Sequence, residues 1–376
     1  MKLVVFGLTI SSSWGNGHAT LWRALCRALV RRGHRVVFFE RDVPYYAAHR
    51  DLWTMEGVDI RLYPDWASAL ESARAEVEDA DASMVTSYCV DAIAATELVA
   101  ERARLSVFYD LDTPVTLDAL RGPAGVAYIG ARGLRDFDLV LSFTGGRALA
   151  DLQRVLGARR VAPLYGSVDP DVHRPTRPAP QYEADLSYLG TYAADRQDAL
   201  DRLFIEPARR LAERRFVIGG AQYPESFPWV PNIFFVRHLP PSEHSAFFCS
   251  SPLTLNVTRR AMAEMGYCPS GRLFEAAACG AAILTDEWDG LTDFFSPGEE
   301  LLVTRSTEDT MHALSLPREE LARIGAAARR RALDEHTADV RAAELERALE
   351  DAITDAPLVP IFESSTGDSD PRSLEL

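Results

Sequence analysis

In the first half of the chain, apolar residues fall in short unbroken runs separated by longer amphipathic stretches. Residues 2–8, with Leu3-Val4-Val5-Phe6 at their centre, form a run too short for a helix and too uniform for a half-exposed strand. Residues 18–32 carry Leu21, Leu25 and Leu29 at helical spacing and end at Gly33, the residue type that closes helices. A second run follows over 34–40, around Val36-Val37-Phe38-Phe39. The same pattern predicts strands over 58–63, 84–88, 105–110, 139–143 and 158–165, with helical material between most of them. Strands apolar on both faces belong to a parallel sheet covered by helices on either side.

Residues 163–181 interrupt the alternation. Pro163, Pro170, Pro175, Pro178 and Pro180 stand among few apolar side chains, as expected of an interdomain linker. Strands are then predicted near 185–190, 215–220, 232–238, 253–258, 281–286 and 300–304. Helices are predicted near 195–213, 242–250, 271–279, 307–314 and 317–334. A last amphipathic helix should start at Thr337, a suitable N-cap, and run to about Ile353. The stretch from Asp355 to Leu376 is rich in Pro, Ser and Asp and reads as a flexible tail. The predicted fold class is therefore α/β, with two facing Rossmann-like domains built on parallel sheets. The first covers residues 1–164 and the second 165–335. Residues 336–354 form a separate helix.

A chain of 376 residues suits two or three domains. Its 47% apolar and 25% charged residues are an ordinary globular mix, which excludes disorder or a collagen-like chain. A formal charge of -15 repels duplex phosphates, so no nucleic-acid partner is expected. A small anion remains admissible in a locally cationic pocket. Cys26, Cys89, Cys249, Cys268 and Cys279 include no C-x-x-C pair and are odd in number. Neither a disulfide framework nor a metal site is indicated, and a reducing, cytoplasmic setting is expected. The N-terminal apolar run reads as a buried strand rather than a signal peptide, and no stretch has the length of a membrane span.

Candidate chemistry lies where strands run into helices. Open parallel sheets bind ligands at the carboxyl ends of their strands. The loop from Ser11 through Gly15, Asn16 and Gly17 to His18 joins the first strand to the first helix. Glycines there let a backbone approach a ligand, and free amides at a helix start attract anions. The complete dinucleotide pattern G-x-G-x-x-G is absent, which speaks against a dinucleotide oxidoreductase. His18 at a helix start is a candidate general base, its pKa lowered by the positive helix end; alternatively it caps or packs against Trp14. Asp112 and Thr113 follow another strand. They either orient acceptor hydroxyls, or Asp112 caps the helix after Pro114.

The richest region is 253–286. Asn256 ends a strand, Arg259 and Arg260 follow shortly, and Ser270-Gly271 opens a helix that carries Arg272 and Glu275. Such a helix start suits a diphosphate, Arg259 and Arg272 can neutralise its charge, and a carboxylate one turn in can hold a ribose. The bland reading is an amphipathic helix with solvated Glu and Arg. Gly190-Thr191-Tyr192 with Arg196 repeats the strand–glycine–helix theme. Backbone groups near His238 can read a base edge.

Taken in order, Gly15-Asn16-Gly17-His18, the segment from Tyr165-Gly166-Ser167-Val168-Asp169 to His173-Arg174-Pro175, Leu189-Gly190-Thr191-Tyr192 with Arg196, Leu255-Asn256-Val257-Thr258-Arg259 and Ser270-Gly271-Arg272-Leu273-Phe274-Glu275-Ala276 resemble the group 1 glycosyltransferases of the GT-B fold. The likeness is nearest to their spore-maturation-type, CgeB-like branch. It implies a nucleotide-sugar donor, a UDP-sugar first, bound to the second domain without a metal or other cofactor. It implies Glu275 on the ribose and residues 270–272 on the diphosphate. The acceptor would be a small molecule, glycan or protein held by the first domain, with the last helix crossing back to that domain. Many members carry a second glutamate eight residues before the first; here that position is Tyr267, with Glu264 the nearest upstream carboxylate. The resemblance therefore leaves the stereochemical outcome open. A nucleotide-sugar epimerase or hydrolase of the same fold and a non-catalytic nucleotide-binding protein are the alternatives, since fold alone does not fix function.

Overall fold

The computed structural model describes residues 1–123 and 125–354. Seven parallel strands form the first sheet: β1 (Lys2–Gly7), β2 (Arg35–Arg41), β3 (Val58–Tyr63), β4 (Ala82–Thr86), β5 (Ser106–Asp110), β6 (Leu139–Ser142) and β7 (Val161–Pro163). Their order is β3-β2-β1-β4-β5-β6-β7. The register sets Leu3 beside Val36 and Val107 beside Leu139. Trp22, Leu25 and Leu29 cover one face, and Ala69, Val77, Leu98 and Leu152 the other. Burial on both faces is what the unbroken apolar runs require.

The second sheet holds six parallel strands: β8 (Leu186–Leu189), β9 (Phe216–Gly220), β10 (Ile233–Arg237), β11 (Leu253–Asn256), β12 (Ala282–Thr285) and β13 (Leu302–Val303). Its order is β10-β9-β8-β11-β12-β13. In each sheet the order reverses beside the first strand of its unit, at β1/β4 and at β8/β11. These are the topological switch points where such sheets bind ligands.

Several boundaries differ from the sequence expectation for local reasons. The strand predicted over 84–88 is Ala82–Thr86; the chain then turns, with Tyr88 at φ 65°. The predicted 158–165 shrinks to Val161–Pro163, an edge strand paired with β6 alone. The helix predicted near 195–213 is a short helix Gln197–Leu200, a π turn Asp201–Ile205 and a helix Glu206–Arg210. Pro207 cannot donate to the preceding turn, and the widened turn accommodates it. A helix Arg260–Met265 was not anticipated.

The proline-rich stretch is not a loose tether. Tyr165, Ser167, Val168, Asp169 and His173 are buried. Val168 pairs with the start of the second crossover: its N–H donates to His336 O (3.0 Å), and Ala338 N–H donates to Val168 O (2.8 Å). The last helix is Ala338–Thr354, with Val340 N–H donating to Thr337 Oγ1 at 3.4 Å. Its Ala342, Leu345 and Leu349 join the first sheet's core with Trp22 and Leu25. Arg31 pairs with Asp339 on this helix, and Arg32 with Glu346. The tail expected after Asp355 lies outside the described residues. Among the described residues no helix is long and apolar enough to cross a membrane. All five cysteines are free, four of them buried and Cys249 half-buried.

Glu40, at the end of β2, was invisible to pattern reading. Its fully buried carboxylate accepts from Thr9 Oγ1 (2.7 Å), Ile10 N–H (2.8 Å), Ser11 N–H (2.9 Å) and the Ser11 hydroxyl. It thereby fixes the root of the loop between β1 and the first helix. Glu40→Gln sets an amide donor against these donors. We expect it to cost about 2–3 kcal/mol, read as a lowered melting temperature and faster hydrogen exchange at Ile10 and Ser11.

Candidate functional site

A cavity of about 390 Å³ lies between the two sheets, within the usual size of a ligand site. Gly15, Asn16, Gly17, His18 and Asp112 line it from the first domain. Thr191, Tyr192, Arg196, Arg259, Ser270, Gly271, Arg272 and Glu275 line it from the second. Gly190 and His238 line an adjoining recess of about 60 Å³, together with Gly220, Ala221 and Leu239. Asn256 lines neither: its Nδ2 donates to Thr285 Oγ1 (3.0 Å) between β11 and β12, so its amide is committed to the sheet.

The first-domain loop turns at Gly15, where φ is +60°. Asn16 Oδ1 accepts from His18 N–H at 3.0 Å, so this side chain holds the loop rather than reaching for a ligand. His18 is the first residue of its helix. It does not pack on Trp14, whose ring lies between His49 (4.0 Å) and His238 of the other domain (4.1 Å). His18 Nδ1 is buried without a partner, which leaves Nε2 to face the cavity, 3.5 Å from Asp112 Oδ2. Asp112 precedes the helix Thr113–Ala119, yet its side chain makes no capping hydrogen bond. It accepts from Tyr88 Oη instead, at 2.9 Å. Burial raises the Asp112 pKa, but His18, Tyr88 and Arg259 outweigh it and hold the carboxyl below its ordinary value. Thr113 Oγ1 bonds to Ser142 Oγ at 2.7 Å and is fully buried, so it is not available to an acceptor. Tyr88 is a cavity residue that the sequence reading missed, because it was counted inside a strand.

On the other side, the helix Gly271–Ala278 starts in the cavity with Ser270 as N-cap. Ser270 Oγ accepts from Arg272 N–H at 3.4 Å, and Leu273 N–H bonds to Ser270 O. Fewer amides are therefore bare than the sequence suggests. A Cβ on Gly271 would meet nothing within 4 Å, so the backbone there is open to a ligand. The Arg272 guanidinium makes no hydrogen bond or ion pair among the described residues. Burial, and then the charge of Arg196, lower its pKa from the usual arginine value. Arg196 donates to Thr191 O at 3.2 Å, and its Nε is buried without a partner. Arg259 is already paired with Asp195 at 3.2 Å, so it is the less available of the three cations.

Glu275 faces Arg272 within this pocket. Its Oε2 lies 3.5 Å from His244 Nδ1 and its Oε1 3.9 Å from His173 Nε2. Burial opposes its ionisation, but His173, His244 and Arg272 prevail and lower its pKa. Burial lowers the pKa of His173 from its ordinary value, and the Glu275 charge opposes that shift. The ligand atoms of His173, His244 and Glu275 lie within 4.8 Å of one another, a set that can hold a divalent ion by type. The two histidines, however, approach different carboxylate oxygens, and Arg272 and Arg196 already load the region with positive charge. An anion is the better electrostatic fit. Tyr267, where the resembling family often has a second glutamate, is not in the cavity lining. Its backbone bonds Gly145 of the first domain (2.9 Å), and its ring fills the space beside Gly146 and Gly290.

Residues 196–347 match a family described as glycosyl transferase-like. No curated protein matches the chain. Solved structures similar to it have the GT-B fold. Anabaena HepE in complex with UDP and glucose has a TM-score of 0.64 at 12% identity, covering 93% of this chain and 99% of that one. The catalytic domain of starch synthase IV from Arabidopsis thaliana, bound to ADP and acarbose, has a TM-score of 0.65 at 11% identity, covering 94% and 99%. An α-glucosyltransferase in complex with UDP and a 13-mer DNA has a TM-score of 0.67 at 12% identity, covering 93% and 99%. The two facing parallel sheets, the cleft between them and the crossing last helix thus form a GT-B architecture.

The depressed Glu275 pKa has a pH consequence. A carboxylate with a lowered folded pKa adds stability above its ordinary value of 4.5 and loses it as pH falls through the folded value. The stability difference between wild type and Glu275→Gln should therefore shrink as pH drops below 4.5, measured by denaturant unfolding across that range.

Proposed function

We propose that the protein is a glycosyltransferase that moves a sugar from a nucleoside diphosphate sugar to a hydroxyl of an acceptor. The observation that carries this reading is the unpaired Arg272 guanidinium beside the open Gly271 backbone, one helical turn from the ionised Glu275, on one wall of the interdomain cavity. Cation and helix start suit the diphosphate, and the carboxylate suits paired ribose hydroxyls. The recess lined by Gly220, Ala221, His238 and Leu239 lies where the base would go, its edges read by backbone groups. HepE and starch synthase IV, bound to UDP and ADP, support a uracil or adenine nucleotide, and we take UDP first. The motifs further suggest kinship with the spore-maturation-type branch.

The donor sugar would project from the diphosphate towards His18 and Asp112. An acceptor O–H placed at His18 Nε2 gives up its proton to that nitrogen as the oxygen attacks the anomeric carbon. The anomeric bond to the diphosphate breaks, and Asp112 stabilises the imidazolium that forms. The negative charge appearing on the leaving diphosphate meets Arg272, Arg196 and the Gly271 amide, so these groups do the work a metal would otherwise do. Direct displacement of this kind inverts the anomeric centre. A small molecule, glycan or protein hydroxyl fits the first-domain wall. The overall charge of -15 disfavours the DNA acceptor seen with the α-glucosyltransferase.

Thermal unfolding with a panel of nucleoside diphosphates, NAD and NADP tests the donor site. One diphosphate at about 100 times its Kd should stabilise by roughly 2.7 kcal/mol, and Glu275→Ala or Arg272→Met should abolish that shift. A shift with NAD alone, or none with any diphosphate, would sink the proposal. For the acceptor side, His18→Ala and Asp112→Asn should each lower kcat by about 10²–10⁴-fold in a sugar-transfer assay while leaving diphosphate affinity unchanged. Equal loss of nucleotide binding would place both residues on the donor instead.

A further inference from the structure

His173 is 1% exposed, and neither of its ring nitrogens has a hydrogen-bond partner. A buried imidazole left in that state is costly, so it calls for a purpose. The carboxylate within its reach is Glu275, 3.9 Å away. His173 belongs to the linker turn 169–173, and that turn is organised by Asp169. The Asp169 carbonyl accepts the N–H groups of Val172 (3.0 Å) and His173 (2.8 Å), and its Oδ1 accepts from Asp171 N–H (3.0 Å). Its Oδ2 accepts from Arg27 Nε at 2.7 Å, across the domain boundary. Arg27 lies on the helix His18–Arg31, whose first residue is the candidate base. From the other side Ser245, next to His244, brackets the turn: its hydroxyl donates to Val172 O (2.9 Å) and accepts from Arg174 N–H (3.3 Å).

We infer that His173 and Arg27 are positioning residues for Glu275, so that the seating of the first domain, transmitted through the Asp169 turn, sets the carboxylate that reads the nucleotide's sugar hydroxyls. This rests on the ribose role of Glu275 proposed above. The coupling runs through contacts rather than distance: helix to Arg27, Arg27 to Asp169, turn to His173, and His173 to carboxylate. A well-seated first domain then tightens the donor site, although Arg27 itself is not among the residues lining the cavity.

The test compares the affinity of the full chain for UDP and for 2′-deoxy-UDP by calorimetry, using ADP and its 2′-deoxy form if the thermal panel selects adenine. Wild type should prefer the ribonucleotide by about tenfold or more, as expected when a charged hydrogen bond is lost. Glu275→Gln should remove that preference; if it does not, the ribose reading itself fails. With the preference established, His173→Phe should lower ribonucleotide affinity about tenfold and leave deoxynucleotide affinity unchanged. His173→Asn, which keeps a donor, should restore part of it. Arg27→Met should act in the same direction, and the double variant should fall no further than His173→Phe alone. Melting temperatures show which variants are folded, and Arg27→Lys replaces Arg27→Met if the latter is not. Equal loss of both nucleotides, no loss at all, or additive losses in the double variant would overturn the coupling. So would stoichiometric zinc binding by wild type that His173→Phe abolishes, because the three side chains would then serve an ion.

Discussion

The arrangement of the cleft depends on the pairing of the two chain crossovers. Val168, leaving the first domain, exchanges backbone hydrogen bonds with His336 and Ala338, which lead back to it. Arg341 locks the pair from behind, with Nε on Gly166 O (3.2 Å) and a second nitrogen on His336 Nδ1 (2.9 Å). Burial and the charge of Arg341 push the His336 pKa down to about 3, so this ring stays neutral and accepts that bond. Two sheets joined by one covalent strand could swing freely. Joined by two paired strands and a helix docked on Trp22 and Leu25, they have a defined hinge, and the walls of the cavity face each other at a set separation.

On that frame the two walls carry opposite chemistry. The second domain offers an unpaired arginine, a helix start and a carboxylate, a set that suits the nucleotide-like anion we propose. The first offers a histidine, a carboxylate and a tyrosine hydroxyl, which suit proton movement at a neutral acceptor. Neither wall is a complete site alone. The acidic net charge does not oppose the proposed diphosphate site, because positive potential can be confined to a few side chains in a low-dielectric pocket.

The sheets were legible because burial on both faces forces unbroken apolar runs, and the glycine-flanked strand ends marked the cavity-lining loops. Long-range polar partners were not legible. Glu40 looks like the ordinary end of a strand until Thr9, Ile10 and Ser11 converge on it. His173 looks like linker until the fold sets it beside Glu275, about a hundred residues further along. Tyr88 was hidden by a strand boundary misplaced by two residues. Asn256 was over-read for the opposite reason, since a polar residue near a strand end is as readily used by the groups around it. Local pattern reports which face is buried; it does not report which distant donor will meet a given acceptor.

Tyr267 shows how one position can change a site's chemistry without touching the ligand. Held at φ 49°, it bonds Gly145 across the domain boundary, and its ring fills the space beside Gly146 and Gly290. A glutamate there would place a charge among these glycines and Asp289, whose carbonyl accepts from Tyr267 N–H. The residue acts as a strut between the domains. Besides Glu275, the cavity is lined by the Asp112 carboxylate, on the opposite wall and paired with His18. Under the proposed assignment of donor and acceptor to the two walls, the pairing of His18 with Asp112 is why we favour proton abstraction from the acceptor over a carboxylate held against the donor sugar.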